Sequence, residues 1–173
     1  MINSEDQLAK IDYFNDERIS SIGAQLASDG RDVIVIATHT LPPMGPGSFA
    51  HRNRHLQLLA DRVRQLRQAE PDVPVVVVGD LNLTPWSPVF SEFLAQAELT
   101  TSRGGLGVTP TWYRFPLFPF GLVLDHVLTT PDLSTVSYDV GDDMGSDHRM
   151  VTASFRFAGD SQRRDVAKRN GNR

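Results

Sequence analysis

The chain has 173 residues, of which 40% are hydrophobic and 22% are charged, so it can form one globular domain with a sizeable core. Its formal net charge is −4, but residues 160–173 contain five basic and two acidic side chains, which leaves 12 basic and 19 acidic residues elsewhere. An acidic body argues against broad electrostatic capture of nucleic acid. The absence of cysteine excludes disulfides and thiolate metal sites.

Membrane and secretion signals are absent from the sequence as given. No apolar run reaches the roughly 18–20 residues that span a bilayer, and the first six residues lack the basic and apolar regions of a signal peptide. The chain itself is therefore expected to be soluble, and its localisation stays open.

The first strong element pattern is a β-hairpin. Residues 18–27 alternate loosely between apolar and polar side chains, and Ser28-Asp29-Gly30 is a turn-forming triplet. Residues 32–40 then form a β-branched run, "DVIVIATHT", which is typical of a strand buried on both faces. Two strands joined by such a short turn predict an antiparallel pair.

Two helices and four more strands follow. Beyond a Pro- and Gly-rich loop at 41–47, apolar residues spaced by three and four predict a helix of about five turns with Arg52, Arg62 and Arg67 on its wetter faces. Residues 75–78, "VVVV", predict a buried strand, and Ser87-Pro88 is typical of a helix start. Runs at 122–129, 134–140 and 150–157 predict the last strands, so the pattern favours a layered α/β fold with mixed sheets.

Four polar clusters lie where these predicted strands end. They are "ATHT" with His39, "GDLN" with Asp80 and Asn82, "LDHVL" with Asp125 and His126, and "GSDHR" with Asp147 and His148. Layered α/β folds bind ligands at strand ends, where loops converge on a rigid sheet. Oxygen ligands, an orienting carboxylate and an imidazole together are what a divalent-metal hydrolase requires.

Each cluster taken alone has a simpler structural interpretation. "GDLN" followed by Thr-Pro fits an Asx-type turn that leaves a strand, and Asp-His pairs are common capping or surface residues. A single histidine such as His39 is more often structural than catalytic. The co-occurrence of four such clusters favours the catalytic interpretation.

In this order the motifs resemble the endonuclease/exonuclease/phosphatase superfamily, over residues 18–157. "GDLN", "LDHVL" and "GSDHRMV" are similar to the family's Gly-Asp-x-Asn, Asp-His and terminal Ser-Asp-His motifs, and "ATHT" is similar to its central histidine strand. The resemblance implies a four-layer sandwich of two mixed β-sheets flanked by helices. It also implies hydrolysis of phosphate esters with Mg²⁺ or Mn²⁺. "NLTPWSPVFSEFL" and "GVTPTW" are similar to a bacterial branch whose catalytic domain often follows membrane helices.

The same resemblance implies a role for each candidate residue. His148 would be the histidine at the scissile phosphate, and Asp125 would hydrogen-bond to it and fix its tautomer. Asp80 would position and deprotonate water, Asn82 would donate to a phosphoryl oxygen, and His39 would contact the non-bridging oxygens. Asp147 would be the metal ligand or an acid in the metal shell.

Two family features are missing. Members normally begin with an asparagine strand and a strand that ends in a metal-binding glutamate, but only 38 residues precede His39 and none of them forms such a motif. Glu5 and Glu17 lie in polar segments and are not promoted to the metal site. We therefore expect a polar segment over residues 1–17, a partial catalytic domain over 18–158 and a disordered basic tail over 159–173, all from the C-terminal two-thirds of a longer protein.

Substrate and partners stay open at this stage. The candidates are a lipid-linked phosphate or a nucleic acid as substrate, the N-terminal segment of the parent protein as partner, and self-association through exposed sheet edges. Trp86 and Trp112 are expected to pack in the core or at a rim, with an apolar wall beside the site as the alternative. The apolar segment 114–124 is expected in the core, with a membrane-facing lip as the alternative. A non-catalytic binding module on the same scaffold is the competing function.

Overall fold

A computed structural model describes residues 7–16, 19–28, 30–104, 109–114 and 120–159. Ten strands and two helices form in this part of the chain, and neither helix is both long and apolar enough to cross a membrane. The helices are α1 (Pro46–Ala69) and α2 (Pro88–Ala97). The strands are β1 (Gln7–Asp16), β2 (Ile19–Ser28), β3 (Arg31–Thr38), β4 (Val75–Asp80), β5 (Thr100–Thr101), β6 (Trp112–Tyr113), β7 (Gly121–Leu122), β8 (Asp125–Thr129), β9 (Leu133–Val140) and β10 (Val151–Phe157).

The large sheet has six strands in the order β1-β2-β3-β4-β8-β5. Only β3 and β4 are parallel, and α1 makes the connection that two parallel neighbours require. All other pairs in this sheet are antiparallel. The predicted hairpin is confirmed as β2 and β3, with Ser28 opposite Arg31 at the turn.

The valine run of β4 is buried because the sheet is covered on both faces. Alternate strand residues point to opposite faces, so Val75 and Val77 pack with Ile34 and Ile36 against the helices, while Val76 points the other way. The helices contribute five large buried side chains to the first core: Leu56, Leu59, Val63, Phe90 and Phe93. At about 25 cal/mol per Å² of buried apolar surface, side chains of this size stabilise the fold by roughly 1.5–3 kcal/mol each before entropy is counted.

The second face of the large sheet carries a smaller antiparallel sheet made of β9 and β10. Val76, Val127 and Leu133 form its buried centre, and the half-buried Phe155 and Phe157 pack around them. The described residues therefore form a helical layer, a mixed sheet and a second sheet. The predicted α/β class is confirmed, and no described residues form a helical layer outside the smaller sheet.

Several local predictions are wrong. A strand, β1, occupies most of the segment predicted as polar, because backbone pairing with β2 does not require an apolar pattern in β1 itself. The predicted strand at 122–129 is broken into β7 and β8. Arg52 is only 4% exposed, although the helix pattern placed it on a wet face. The described residues do not include Glu5, Glu17, residues 105–108 or the tail from residue 160.

Candidate active site

Five of the six candidate residues meet at one end of the central strands of the large sheet. His39 directly follows β3 and Asp80 ends β4, so both lie at the same end of two parallel strands. Asp125 opens β8 instead of ending it, and antiparallel pairing places it directly opposite Asp80. His148 precedes β10. The prediction that every cluster ends a strand is therefore wrong for the clusters of Asp125 and His148. Asp125 still lies at the same end of the sheet because β8 runs antiparallel to β4.

Asp80 is the centre of the contacts. Its Oδ2 lies 3.3 Å from His39 Nε2 and 3.9 Å from His148 Nε2. The same oxygen accepts a hydrogen bond of 3.0 Å from Asn82 Nδ2, and Oδ1 accepts one of 2.7 Å from the Asn82 backbone N–H. The Asp80 side chain is 13% exposed and that of His39 is 71% exposed, so the aspartate lies at the base of the site and His39 at its mouth.

Asp125 and His148 form the second part of the site. Asp125 Oδ2 lies 2.9 Å from His148 Nδ1, and the ring's other nitrogen faces Asp80. A carboxylate that accepts from Nδ1–H leaves Nε2 as the nitrogen that can exchange a proton with a substrate. The side chains are 20% and 32% exposed, so the pair is reachable from solvent while its hydrogen bond is partly shielded.

Asn82 holds the loop that presents Asp80. Its φ of 46° places it in the left-handed region, which asparagine tolerates better than most residues. Besides the bond to Asp80, its Nδ2 donates to Thr40 O at 2.8 Å. Both amide hydrogens are therefore used within the protein. The predicted donation from Asn82 to a phosphoryl oxygen would require one of these bonds to break.

The environment of Asp80 favours its neutral form. Burial raises the pKa of Asp80 above its ordinary value of 3.8, and the nearby negative charge of Asp125 raises it further. The hydrogen bond from the Asn82 backbone and the charges of His148 and His39 lower the pKa and oppose that shift, without cancelling it. A carboxylate with a raised pKa holds a proton more readily, as a general base in hydrolysis must.

Asp147 lies apart from this contact network. Its carboxylate is exposed, and Oδ2 accepts a hydrogen bond of 3.1 Å from the Trp112 indole Nε1. Across the described ranges, no group of three or more His, Asp or Glu side chains is arranged to hold a metal ion. The predicted Mg²⁺ or Mn²⁺ therefore has no complete set of protein ligands in this part of the chain.

His126, the neighbour of Asp125, faces the core instead of the site. It is 4% exposed, its ring lies 4.6 Å from the Phe90 ring, and Nε2 donates to Leu83 O at 2.7 Å. Burial lowers the pKa of His126 to about 4, so it is neutral at pH 7. Successive side chains of β8 point to opposite faces of the sheet, so Asp125 faces the site and His126 faces the core.

The tryptophans differ in environment. Trp86 is 61% exposed, so of the two expected positions, core or rim, the core is excluded. Trp112 is half-buried. Its backbone forms a β-bridge with His148, and its indole N–H donates to the Asp147 carboxylate. Of the apolar segment 114–124, residues 115–119 lie outside the described ranges, and Phe120 is 78% exposed while Val123 and Leu124 are buried.

Two residues that support the site carry no clear sequence signal. Arg52 reaches from α1 and donates from Nη1 to Asn82 O at 3.1 Å, and its helical position resembled that of the exposed arginines. Thr111 is fully buried and accepts the backbone N–H of Asp125 at 3.0 Å through Oγ1. Only its position in "TPTW", between the second and fourth polar clusters, could have drawn attention to it.

Comparison with solved structures shows the same fold. The human Nocturnin catalytic domain with bound sulfate has a TM-score of 0.72 at 19% identity, with 90% of this chain and 62% of that chain covered. A mannosyl-6-phosphatase from Bacteroides thetaiotaomicron has a TM-score of 0.73 at 16% identity, with 90% and 68% covered.

A third similar structure is an endonuclease/exonuclease/phosphatase from Beutenbergia cavernae. It has a TM-score of 0.65 at 26% identity, with 81% of this chain and 40% of that chain covered. The chain thus spans less than two-thirds of the Nocturnin domain and of the Beutenbergia protein. No curated protein sequence matches the chain.

The family model for the Endonuclease/Exonuclease/phosphatase family matches residues 8–148. The match includes His39, Asp80, Asn82, Asp125, Asp147 and His148. On this match and the shared fold, the chain belongs to the endonuclease/exonuclease/phosphatase family.

Proposed function

We propose that the protein is a phosphoesterase that hydrolyses a phosphate ester with an activated water. The observation that carries the proposal is the proximity of one partly buried carboxylate to two imidazoles: Asp80 Oδ2 lies 3.3 Å from His39 Nε2 and 3.9 Å from His148 Nε2. In such an arrangement the carboxylate can accept a proton from water, and the imidazoles can supply positive charge beside an anionic phosphate.

The proposed chemistry is in-line attack of water on phosphorus. Asp80 takes the proton of the attacking water as the new P–O bond forms and the ester P–O bond breaks. The imidazolium forms of His148 and His39 offset the negative charge that develops on the phosphoryl oxygens. Asp125 orients His148 through Nδ1, and the proton for the leaving oxygen comes from the imidazolium or from solvent.

The comparisons support phosphate-ester chemistry at the level of the family. The family name covers nucleases and phosphatases, and one of the similar structures is named a mannosyl-6-phosphatase. Identity to that structure is 16%, so its substrate does not transfer to this chain. Phosphomonoester and phosphodiester substrates both fit the proposal.

We predict that the proposed hydrolysis depends on a divalent metal ion. Mg²⁺ commonly takes one or two protein carboxylates and fills its remaining positions with water and substrate oxygens. Asp147 is the exposed carboxylate nearest to His148 in sequence, but the described residues do not complete a site around it. We expect EDTA to abolish hydrolysis by the full-length protein and Mg²⁺ or Mn²⁺ to restore it.

An amphiphilic, lipid-linked phosphate is the substrate class that the surface supports best. Seven of the ten large apolar side chains that are exposed in the described residues lie close in sequence to the site residues, six of them in loops and one on β7. They are Leu41 and Met44 after His39, Trp86 after Asn82, Phe120 and Leu122 before Asp125, and Met144 and Met150 beside His148. Exposed apolar side chains in the segments that carry a polar site suit a ligand with a phosphate head and an apolar tail.

Vesicle sedimentation tests this substrate class. The protein should sediment together with phosphatidylcholine vesicles. The double variant Trp86→Ala/Met144→Ala should show a severalfold smaller bound fraction. Val136→Ala is the matched control, because Val136 is 56% exposed but lies on β9 outside these loops. Equal binding by all variants would remove the lipid proposal. Hydrolysis of DNA or RNA without vesicle binding would favour the nuclease alternative.

Hydrolysis of bis(p-nitrophenyl) phosphate and p-nitrophenyl phosphate by the full-length protein tests the proposed activity. His148→Ala should lower kcat/KM by about 10²-fold or more, the range in which loss of a general acid–base group falls. Activity that survives this change would overturn the proposed role of the site. A wild-type protein that binds phosphate esters without hydrolysing them would support the non-catalytic binding module.

A further inference from the structure

The segment that carries Asp147 and His148 belongs to none of the described strands. It lies between β9 and β10, and among the described residues its backbone pairs with the short strand β6. Tyr113 N–H donates to Asp147 O at 2.8 Å, and Trp112 bridges to His148. The position of His148 therefore depends on how β6 is held against the rest of the fold.

Thr111, directly before β6, makes that attachment. Its Oγ1 accepts two backbone hydrogen bonds of 3.0 Å, from Leu124 N–H and Asp125 N–H. Its own N–H donates to Leu122 O at 2.9 Å, and its carbonyl accepts from Arg149 N–H at 2.7 Å. One residue thus binds the segment that carries Asp125 on one side and the segment that carries His148 on the other.

Burial decides what kind of role Thr111 can have. Its exposure is 0%, so it cannot touch a substrate in the site. Its hydroxyl provides the acceptor that satisfies two backbone donors, and a buried N–H left without a partner is costly. A change at this position must therefore act through the segments to which the residue is bonded.

We propose that Thr111 is a positioning residue that fixes the distance between Asp125 and His148 by bonding to both of their segments. The expected effect on catalysis rests on the proposed function, whereas the expected effect on the distance between Asp125 and His148 does not. Loss of the Oγ1 acceptor frees the start of β8, and the 2.9 Å hydrogen bond between Asp125 and His148 Nδ1 becomes a fluctuating contact.

Three variants separate positioning from general stability. Thr111→Val is close in shape and removes the acceptor, while Thr111→Ser keeps it. Thr130→Val is the matched control, because Thr130 is also 0% exposed and its Oγ1 accepts a backbone N–H, from Val75 at 3.1 Å. Thr130 follows β8 at the end of the strand away from Asp125, so this variant removes an equivalent bond far from the site.

The geometric test is the His148 Nδ1–H resonance in proton NMR of ¹⁵N-histidine-labelled protein, assigned by its loss in His148→Asn. The wild type, Thr111→Ser and Thr130→Val should show the resonance, and Thr111→Val should lose it to solvent exchange. This readout needs no catalytic activity. Its outcome therefore stays informative even if the wild type hydrolyses no phosphate ester.

The kinetic test is the separation of kcat from KM on the most active substrate. Thr111→Val should lower kcat about tenfold or more with KM within about threefold, and Thr111→Ser and Thr130→Val should stay within about threefold of wild type. If Thr111→Val does not fold, Thr111→Ala takes its place, checked by thermal unfolding. A Thr111→Val or Thr111→Ala protein that is folded and keeps both the resonance and kcat would overturn the proposal.

Discussion

Asp80 is the residue whose environment decides how the site behaves with pH. Its carboxylate is half-enclosed at the end of β4, where burial disfavours the charged form, and both neighbouring imidazoles favour it. "GDLN" singles out the residue, and its proposed role as base follows from the family resemblance of the four motifs together. The contacts with His39 and His148 come from segments distant in sequence, which no local pattern shows.

The first prediction concerns the acid side of the pH–rate profile. A general base works only when ionised, and burial raises the pKa of Asp80 above 3.8. As pH falls, hydrolysis should therefore decline with a midpoint above 3.8, because Asp80 takes up a proton earlier than an exposed aspartate does. Measurement of kcat/KM against pH tests this expectation. A profile that stays flat down to pH 3.8 would rule out Asp80 as the base.

His55 is a buried neutral histidine next to the strand that carries His39. It is 2% exposed, and its Nε2 lies 2.9 Å from Thr38 Oγ1 and 3.2 Å from Ser21 Oγ. Burial lowers the pKa of His55 to about 4, with smaller contributions from the charges of His51 and His39. The helix pattern of α1 predicts neither this burial nor the hydroxyl pair that satisfies the ring.

The second prediction follows from that shift. Unfolded chains take up a proton at His55 near pH 6.5, whereas the folded protein does so only near pH 4. Stability is therefore lost as pH falls from about 6.5 to about 4, by about 3 kcal/mol at 1.4 kcal/mol per pKa unit. His126 has a pKa of about 4 as well and adds to the same window.

Urea unfolding at pH 7 and pH 4.5 measures this loss. His55→Gln keeps a hydrogen-bonding group beside the two hydroxyls but does not titrate, so its loss of stability between the two pH values should be smaller than that of wild type. The same loss in both proteins would show that His55 is not held neutral in the folded state.

At the scale of elements, the meeting of β3 and β4 depends on Gly79. Its φ is +141°, and an added Cβ would overlap the carbonyl oxygen of Thr38 on the neighbouring strand. Glycine is needed here for close approach of two backbones as well as for its dihedral angle. This contact brings the ends of β3 and β4, and hence His39 and Asp80, side by side.

The third prediction is that Gly79→Ala destabilises the protein by at least about 2 kcal/mol, because it combines overlap with backbone strain. Gly47→Ala is the control. Gly47 lies in the first turns of α1 with open space around its Cα and no positive φ, so alanine there should be neutral or slightly stabilising. Equal unfolding midpoints for the two variants would contradict the close approach.

Elements with strong local patterns are the part of the fold that the sequence predicts well. The β2–β3 hairpin, α1, α2 with Ser87 at its N-cap, and the valine strand all form where periodicity and turn residues indicate them. The strand β1 was not predicted because its pairing partner, not its own pattern, makes it a strand. Arg52 was misplaced because helix periodicity cannot show that the 81–83 loop covers the first turns of α1.

For the site, the motifs identify the residue types and the resemblance implies the hydrogen bond between Asp125 and His148, but neither shows how the strands bring the residues together. Strand direction, which no motif records, places Asp125 opposite Asp80 even though one opens its strand and the other ends it. The different environments of Asp125 and His126 follow from strand period, and could have been predicted once β8 was known to start at Asp125. Thr111 could not, because its role consists of four hydrogen bonds to distant segments.

At the scale of the whole molecule, the sheet of β9 and β10 is only partly covered in the described structure. It has two strands, and the inward-facing residues of β10 are all half-buried, whereas Val76 and Val127 beneath them are buried. Two-stranded sheets are marginal by themselves, and unpaired edges are templates for another strand. We propose that a second copy of this chain covers the edge strand β10.

The fourth prediction is concentration-dependent association of this chain. Sedimentation velocity from about 1 to 100 µM should show a rising weight-average sedimentation coefficient, because paired edges bury surface that the monomer leaves half-exposed. Thr152→Pro in β10 should reduce association, since proline is poorly tolerated in a strand that pairs with another strand, while Thr135→Ser on β9 should not. A chain that remains monomeric over this range would contradict the proposal.

The central claim is that Asp125 and His148 act as one catalytic unit beside Asp80, and a double-mutant cycle of this pair tests it most directly. kcat/KM is measured for wild type, Asp125→Ala, His148→Ala and the double variant on one phosphate ester. Because Asp125 acts through its 2.9 Å contact with His148, the double variant should be no worse than His148→Ala alone, within about threefold. Losses that multiply, or a His148→Ala protein as active as wild type, would contradict the account.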